Sequence, residues 1–403
     1  MKRQFLIFIL LVASIVFLNT FLEKYVLGNL VLNDNTLLNT KKVNAQKLFE
    51  NSIETVKKNY IDKELNGQNL DEWKKRYDGK IQTDEDANVA INSVLETLDD
   101  PYSRYLDKET YAEQNSSINS KIIGIGVNIA SIGGKTYIVN VLEGTPAEKA
   151  GLKNGDIIVK VDGEDVTGLK TSDVASRVRG EIDTVVKLSL LRDKRNLTKN
   201  ITRKNIKIKN IKSKMVDDDI GYIEILSFIG ATTYNEFLTA LAETTTAKGL
   251  IIDLRGNSGG LLPNAVNMAN LFINKGNIVS IVGRNGFKKQ IKAQKTDYII
   301  DKPVVLLIDE GSASASEIFS GALKDYNKAV LVGTKSFGKG LVQRIIPMPN
   351  ETGMNLTIAK YLTPNDTDIH KKGIEPDLKV PVIKGKKDMQ LEVAKNIIND
   401  LTR

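Results

Sequence analysis

An α+β fold is what this 403-residue sequence predicts, on three observations. Leu250–Leu254 (LIIDL) and Pro303–Ile308 (PVVLLI) are short continuous apolar runs with the length and composition of buried strands. Segments with apolar residues at helical spacing stand towards both ends of the chain. Between Ile122 and Arg192, short alternating segments are separated by glycine-rich turn signals. The chain is too long for one compact domain, and its 41% hydrophobic and 26% charged residues make a globular composition with no low-complexity segment.

Taken in order, Lys2 and Arg3 precede an apolar stretch from Phe5 to Leu22, broken only by Ser14, Asn19 and Thr20. Residues 1–22 suit a signal peptide or a signal anchor. No Ala-x-Ala pattern follows and no cysteine is available for a lipid anchor. The expectation is an uncleaved single-pass anchor in the cell membrane, positive end cytoplasmic and the bulk of the chain outside; secretion after cleavage is the alternative. A linker, 23–43, leads to a helical region, 44–117. There Phe49, Ile53, Val56 and Tyr60 follow one helical face, and Ala87, Ala90, Ile91, Val94 and Leu98 a second, starting after Thr83 and ending before Pro101. At the far end, 381–403, Met389, Leu391, Ala394, Ile398 and Leu401 mark a last amphipathic helix. Such faces pack either on the core or on a second copy of the chain.

Residue chemistry narrows the function. With one histidine, His370, and no cysteine, a Cys-His site is excluded and a Ser-His-Asp site could use only His370. That histidine, beside Lys371 and Lys372, reads as a surface residue. The segment 311–343, GSASASEIFSGALKDYNKAVLVGTKSFGKGLVQ, supplies a different set. Ser314 follows the PVVLLI strand and opens a helical pattern carrying Ile318, Phe319, Leu323 and Tyr326. At a helix N-terminus the Ala315 amide can donate to a developing oxyanion. Lys339, in a glycine loop FGKG, could be carried into a packed interior, where burial lowers an amine's pKa towards that of a usable base. Gln343 could hold the Lys339 nitrogen. A second strand-turn-helix, LIIDL followed by RGNSGG, makes Gly259 and Gly260 candidates for another oxyanion contact. Each piece has a plainer reading too: SASAS as a turn with capping serines, Lys339 as a solvated loop lysine, RGNSGG as an ordinary crossover.

In combination, SASASE at 312–317, FGKGLVQ at 337–343, DLRGNSGG at 253–260, LDDPYSRYL at 98–106 and GIEPD at 373–377 resemble the carboxyl-terminal processing peptidases, or tail-specific proteases, in the family's order. The resemblance spans about residues 45–380. It implies a protease core, 206–380, of the mixed α/β ClpP/crotonase-like type, with Ser314 as nucleophile, Lys339 as general base and Gln343 as its support. Two departures stand out. Gly256 and Ser258 replace residues usual in the family's turn, and Asn365, Asp366 and Thr367 stand where Ser-Gly-Arg is common. The shape of the oxyanion loop and the cleft rim are the features they affect.

The order of strands and helices over 118–205, with GTPAEKAGLKNGDIIVKVDG at 144–163, resembles a circularly permuted PDZ domain. Such domains take a free polypeptide carboxylate into a loop of amides and add the peptide as a strand. The matching loop is IIGIGV, giving Ile123, Gly124, Ile125, Gly126 and Val127 as peptide-binding residues. Arg179, at a helix end, either approaches the bound tail or stands exposed.

The implied activity is cleavage of polypeptides with free C-termini, in a membrane-tethered, extracytoplasmic enzyme. A peptide-binding adaptor without turnover and a Ser-Lys amidase or esterase are the alternatives. The family sometimes dimerises through the terminal helices. No cofactor and no metal are expected. The net charge of +8 is spread without basic runs or interleaved aromatics, which argues against nucleic acid and for modest attraction to anionic envelope surfaces.

Overall fold

The protein is described from a computed structural model covering residues 42–403, apart from 119–121, 207–208, 297–298, 384 and 386. The apolar segment 1–22 expected to anchor the chain lies outside the described residues. Among those described, no helix is long and apolar enough to cross a membrane. The described residues divide into two compact units, one within Ser116–Ile208 and the other formed by those from 42 to Asn115 and from Lys209 on.

In the larger unit the first helix, Ala45–Asn59, is capped by the Asn44 side chain, which accepts the Lys47 N–H, and buries Leu48, Phe49, Ile53 and Val56. It ends where Tyr60 turns extended. Helix Asp84–Glu96 starts with a capping box in which Thr83 and Asp86 satisfy each other's backbone N–H. Its buried face is the expected Ala87, Ala90, Ile91 and Val94, with Leu95.

Two helices escape a reading by apolar period. Leu70–Tyr77 buries only Leu70; its support is charge, with Asp71 and Glu72 in the first turn and Lys74, Lys75 and Arg76 in the last, each sign at the favourable end of the helix dipole. The other is Lys108–Ile118.

Two sheets build the core. One is six-stranded, in the order Ile211–Asp217, Ile220–Ile225, Gly249–Asp253, Val304–Ile308, Val330–Gly333, Leu378–Lys379, antiparallel at the first pair and parallel thereafter. Gly249–Asp253 and Val304–Ile308 are buried throughout, as strands covered on both faces must be. The C-terminal helix, Met389–Leu401, presses Ile398 onto this sheet at Gly249, where an added Cβ would stand 2.5 Å from the isoleucine. The other sheet is five-stranded and built on the long strand Thr352–Leu362. That strand pairs with Arg104–Leu106, Asn277–Gly283 and Leu341–Met348.

The smaller unit is a sheet of Val127–Ile132, Lys135–Val141, Ile157–Val161, Val185–Arg192 and Arg195–Thr202, with Glu164–Asp165 attached, and helices Pro146–Lys149 and Thr171–Val178. Its core includes Ile138, Ile158, Val174, Val186 and Leu188. Asp156, fully buried, is held by Arg192 through two hydrogen bonds of 2.6 and 2.7 Å. Burial alone would raise the Asp156 pKa, but these bonds and the Lys153 N–H hold it below the usual carboxylate range. Entry and exit of the unit run side by side, Ile122–Gly124 pairing antiparallel with Lys204–Ile206.

Candidate active site

Two strand-to-helix turns meet at the C-terminal ends of adjacent parallel strands. The first follows Val304–Ile308 and opens the helix Ala315–Asp325, with Ser314 at its N-cap. Ser314 has φ 55° and ψ −114°, a conformation an L-residue holds only when its surroundings impose it. Several bonds impose it here. Asp309 Oδ1 accepts the N–H groups of Gly256 and Gly311, Ser312 Oγ donates to the Leu254 carbonyl, and Tyr361 Oη donates to the Ser314 carbonyl. Ser314 is partly exposed, whereas Ala313, Ala315 and Ser316 are buried.

The second turn, Arg255–Gly260, is clamped by its own arginine. Arg255 makes a two-pronged contact with Asp388 at the cap of the C-terminal helix, and also bonds Asp253 and Gln390. Fully buried Asn257 ties the turn to the Ser314 segment: its carbonyl accepts from Ala313 N–H and Ser316 Oγ, and its Oδ1 accepts from Gly259 N–H. The Gly259 amide is therefore occupied. The N–H groups of Gly260 and Ala315 make no hydrogen bond among the described residues. A Cβ on Gly259 would stand 2.9 Å from both Ala315 N and Ser314 Cβ, so only glycine brings this turn so close to the serine.

Lys339 arrives on the loop between Val330–Gly333 and Leu341–Met348. Gly338 (φ 89°) crosses the backbone of Gly373 and Lys372, where a side chain would clash at 2.8 Å. Lys339 is half-buried. That burial lowers its pKa below the usual lysine value; Asp100 and Glu317 act the other way, and the Arg104 charge lowers it further.

The Lys339 Nζ lies over the Tyr102 ring, 4.5 Å from its centroid. It makes no hydrogen bond to Ser314 Oγ here. Nor does Gln343 hold it: the Gln343 Nε2 donates to Thr357 Oγ1 at 3.2 Å, because pairing with Thr352–Leu362 shifts register at Val342/Gln343 and sets Gln343 opposite Thr357. His370 is half-buried against Gly340 rather than on the surface. Its Nδ1 is enclosed without a hydrogen-bond partner among the described residues.

Glu317 carries more of the site than the sequence reading gave it. The side chain is fully buried. Its Oε1 accepts from Ser336 Oγ (2.6 Å) and Gly338 N–H (2.7 Å), and its Oε2 from Ser314 N–H and Lys339 N–H (both 2.9 Å). The signal was present: Ser314-x-x-Glu317 has capping-box spacing, in which the glutamate reaches back to the N-cap amide.

Other motifs acquire contacts as well. In LDDPYSRYL, Tyr102 underlies Lys339, and Ser103 Oγ accepts the Thr357 N–H while donating to Asp100. In GIEPD, Gly373 packs on the Ser336 carbonyl, Ile374 N–H donates to Ser336 Oγ, and Asp377 accepts from Leu331 N–H and Lys324. In the region that departs from the family pattern, Asp325 accepts from Thr363 Oγ1 and Asn365 N–H.

In the smaller unit, Ile123 and Gly124 lie in the two-stranded ribbon and Val127 begins the edge strand. The carbonyls of Ile125 and Gly126 accept from Ala147 N–H and Leu142 N–H, while their own N–H groups make no hydrogen bond among the described residues. Gly126 (φ 88°) passes so close to Thr145 that a Cβ would lie 2.3 Å from its side chain. Arg179 is exposed at the end of helix Thr171–Val178. Among the described residues no histidine and carboxylate cluster is arranged to hold a metal ion.

Residues 219–380 match peptidase family S41, and residues 137–192 match a PDZ domain. The carboxy-terminal processing protease CtpA of Bacillus subtilis is 37% identical over 386 residues, covering 94% of this chain and 78% of that protein. A carboxyl-terminal-processing protease of Synechocystis sp. is 34% identical, covering 87% and 84%. Among solved structures, a photosystem II D1 C-terminal processing protease superposes with a TM-score of 0.58 at 29% identity over 90% of this chain and 98% of that one. A lipoprotein from Streptococcus agalactiae shares the fold at 13% identity, with a TM-score of 0.56.

Two of the three glycines of the second turn, one crowded and one open, separate shape from strain. In Gly260→Ala the new Cβ would lie 2.3 Å from Ile229 N and Phe228 C, at φ 147°; in Gly256→Ala, at φ 68°, nothing lies within 4 Å. Peptidase activity should fall by about a hundredfold or more in Gly260→Ala, with the circular dichroism spectrum unchanged. Gly256→Ala should lose only about 1 kcal/mol of stability and keep most activity. Equal losses in both would mean that the turn's shape is not what matters.

Proposed function

The chain belongs to peptidase family S41, a serine peptidase of the carboxy-terminal processing group with a PDZ domain, and on that basis we propose that it is a membrane-tethered endopeptidase cutting polypeptides near their C-termini through a Ser-Lys acyl-enzyme mechanism. The observation that carries the reading is Ser314, held at φ 55° at the mouth of a buried helix, with the backbone of a desolvated lysine bonded to the same carboxylate as its own. In this mechanism Ser314 Oγ attacks the scissile carbonyl and neutral Lys339 takes its proton, then returns it to the departing amine. The Ala315 and Gly260 amides, both without other partners among the described residues, face the oxyanion role; Gly259 supplies closeness rather than a donor. Water then releases the acyl group by the reverse sequence. For the first step the Lys339 side chain swings from the Tyr102 ring to Ser314, a rotamer change open to a four-carbon stem. Gln343, now on Thr357, supports the lysine after the same rearrangement.

Ser314→Ala and Lys339→Ala should each abolish cleavage of casein while remaining folded. In the wild type, activity should rise with pH as the Lys339 ammonium gives up its proton, and this limb should lie below the usual lysine value of about 10.4, in the direction burial moves it. Turnover by folded Lys339→Ala would remove the dyad; turnover by Ser314→Ala would remove the nucleophile. An adaptor without catalysis would show no casein cleavage in the wild type.

Tail recognition is the proposed role of the PDZ domain, in the loop Ile123–Val127, where the Ile125 and Gly126 amides are available to a carboxylate beside the edge strand Val127–Ile132. A peptide with a free apolar C-terminus should bind more tightly than its C-terminal amide, by about 1.5 to 3 kcal/mol, the worth of a charge-assisted bond. Calorimetry on the full-length Ser314→Ala chain, which cannot consume the peptide, measures both; equal affinities would assign the unit another task.

Residues 1–22 are the proposed anchor, with the catalytic region outside the cytoplasm. Fractionation should find the full-length chain in the membrane, its catalytic region digested by external protease once any outer barrier is opened. A soluble form beginning near residue 20 to 30 would identify a cleaved signal peptide instead.

A further inference from the structure

Glu317 is an ionisable side chain buried at the heart of the site, and the acyl-enzyme mechanism assigns it no proton to move. Its carboxylate instead takes the backbone N–H groups of Ser314 and Lys339 on one oxygen, and Gly338 N–H with Ser336 Oγ on the other. Those donors come from two separate segments: the turn before helix Ala315–Asp325 and the loop before strand Leu341–Met348. No other side chain among the described residues bonds to the backbone of both Ser314 and Lys339. Ser336 extends the arrangement, since its hydroxyl also accepts the Ile374 N–H and so ties the GIEPD segment to the same carboxylate.

We propose that Glu317 is a positioning residue for the reaction: by gathering the Ser314, Gly338 and Lys339 amides on one carboxylate, it fixes the nucleophile turn against the base loop and sets the distance the lysine must span. This rests on the Ser-Lys reading above. A carboxylate suits the place because every group around it donates; an amide would turn an NH2 on one pair of donors. The charge has a second effect, since it opposes the lowering of the Lys339 pKa by burial.

These two effects separate in variants of the full-length chain, followed by kcat and KM for a quenched fluorescent peptide across pH. Glu317→Gln should lower kcat by about a hundredfold with KM changed by less than about twofold. Its acidic limb should also move to lower pH: Lys339 must be neutral to act, and it has lost an anion that raised its pKa. Glu317→Asp keeps the charge but is one methylene short, so kcat should fall while the limb stays in place. Unchanged kcat in folded Glu317→Gln overturns the proposal, as does a fall in kcat with an unmoved limb, which marks a structural role alone. Should Glu317→Gln fail to fold, Ser336→Ala removes one donor from Oε1 and one acceptor from Ile374; an unaltered kcat there overturns the proposal equally. Lys339→Ala in parallel tells this failure from failure of the dyad, because activity in that variant defeats the underlying mechanism whatever Glu317 does.

Discussion

A buried carboxylate must find donors or be expelled, and in this protein that requirement organises the whole catalytic end of the core. Glu317 can stay fully buried only because two loops turn their amides inward to meet it. Those loops can do so only because glycines at 338 and 373 let their backbones cross at contact distance. The strained Ser314 is thus the consequence of surroundings satisfied elsewhere, in keeping with strain that persists where neighbours over-determine it. Asn257 and Arg255 repeat the device on the other side, one bonding the glycine turn to the Ser314 segment and the other bonding it to the start of the C-terminal helix.

Much of this architecture was legible in the sequence because it is written in apolar pattern. PVVLLI and LIIDL are the two fully buried central strands, and the capped helix after Thr83 and the last helix stand where their periods placed them. Leu70–Tyr77 and Lys108–Ile118 lack that signal, Leu70–Tyr77 being carried by charges at its ends, whereas the unread helix Thr233–Glu243 carries it in Tyr234, Phe237 and Leu241. In the site, the sequence does not give the directions of side chains. Gln343 faces Thr357 through a register shift no spacing rule contains, and Lys339 rests on an aromatic ring from a motif more than two hundred residues upstream. Glu317 is the opposite case: its capping-box spacing was readable, yet capping is so common a use of glutamate that only burial and the far partners reveal the rest.

Lys339 sits between two environments. Over Tyr102, a protonated ammonium is favoured by the ring face; beside Ser314, only the free amine is useful. Burial moves the lysine towards the amine and the Arg104 charge adds to it, while Asp100 and Glu317 oppose both. A side chain held in that way can change partner at small cost, as the proposed base must in giving its proton back each cycle.

The long strand Thr352–Leu362 has a further consequence, for synthesis rather than chemistry. It is the partner of Arg104–Leu106, and the turn just before it anchors the first helix, with Asn350 accepting the Val43 N–H. The N-terminal helices can pack on one another once made, but they wait for some 250 residues before the sheet that completes their core exists. The smaller unit has no such delay: all its strand pairings fall within residues 122–206, so it can close while the rest is still being made. A chain translated at about 5 to 20 residues per second spends roughly 10 to 50 seconds in that state, long enough for a chaperone to meet the waiting helices before their sheet exists.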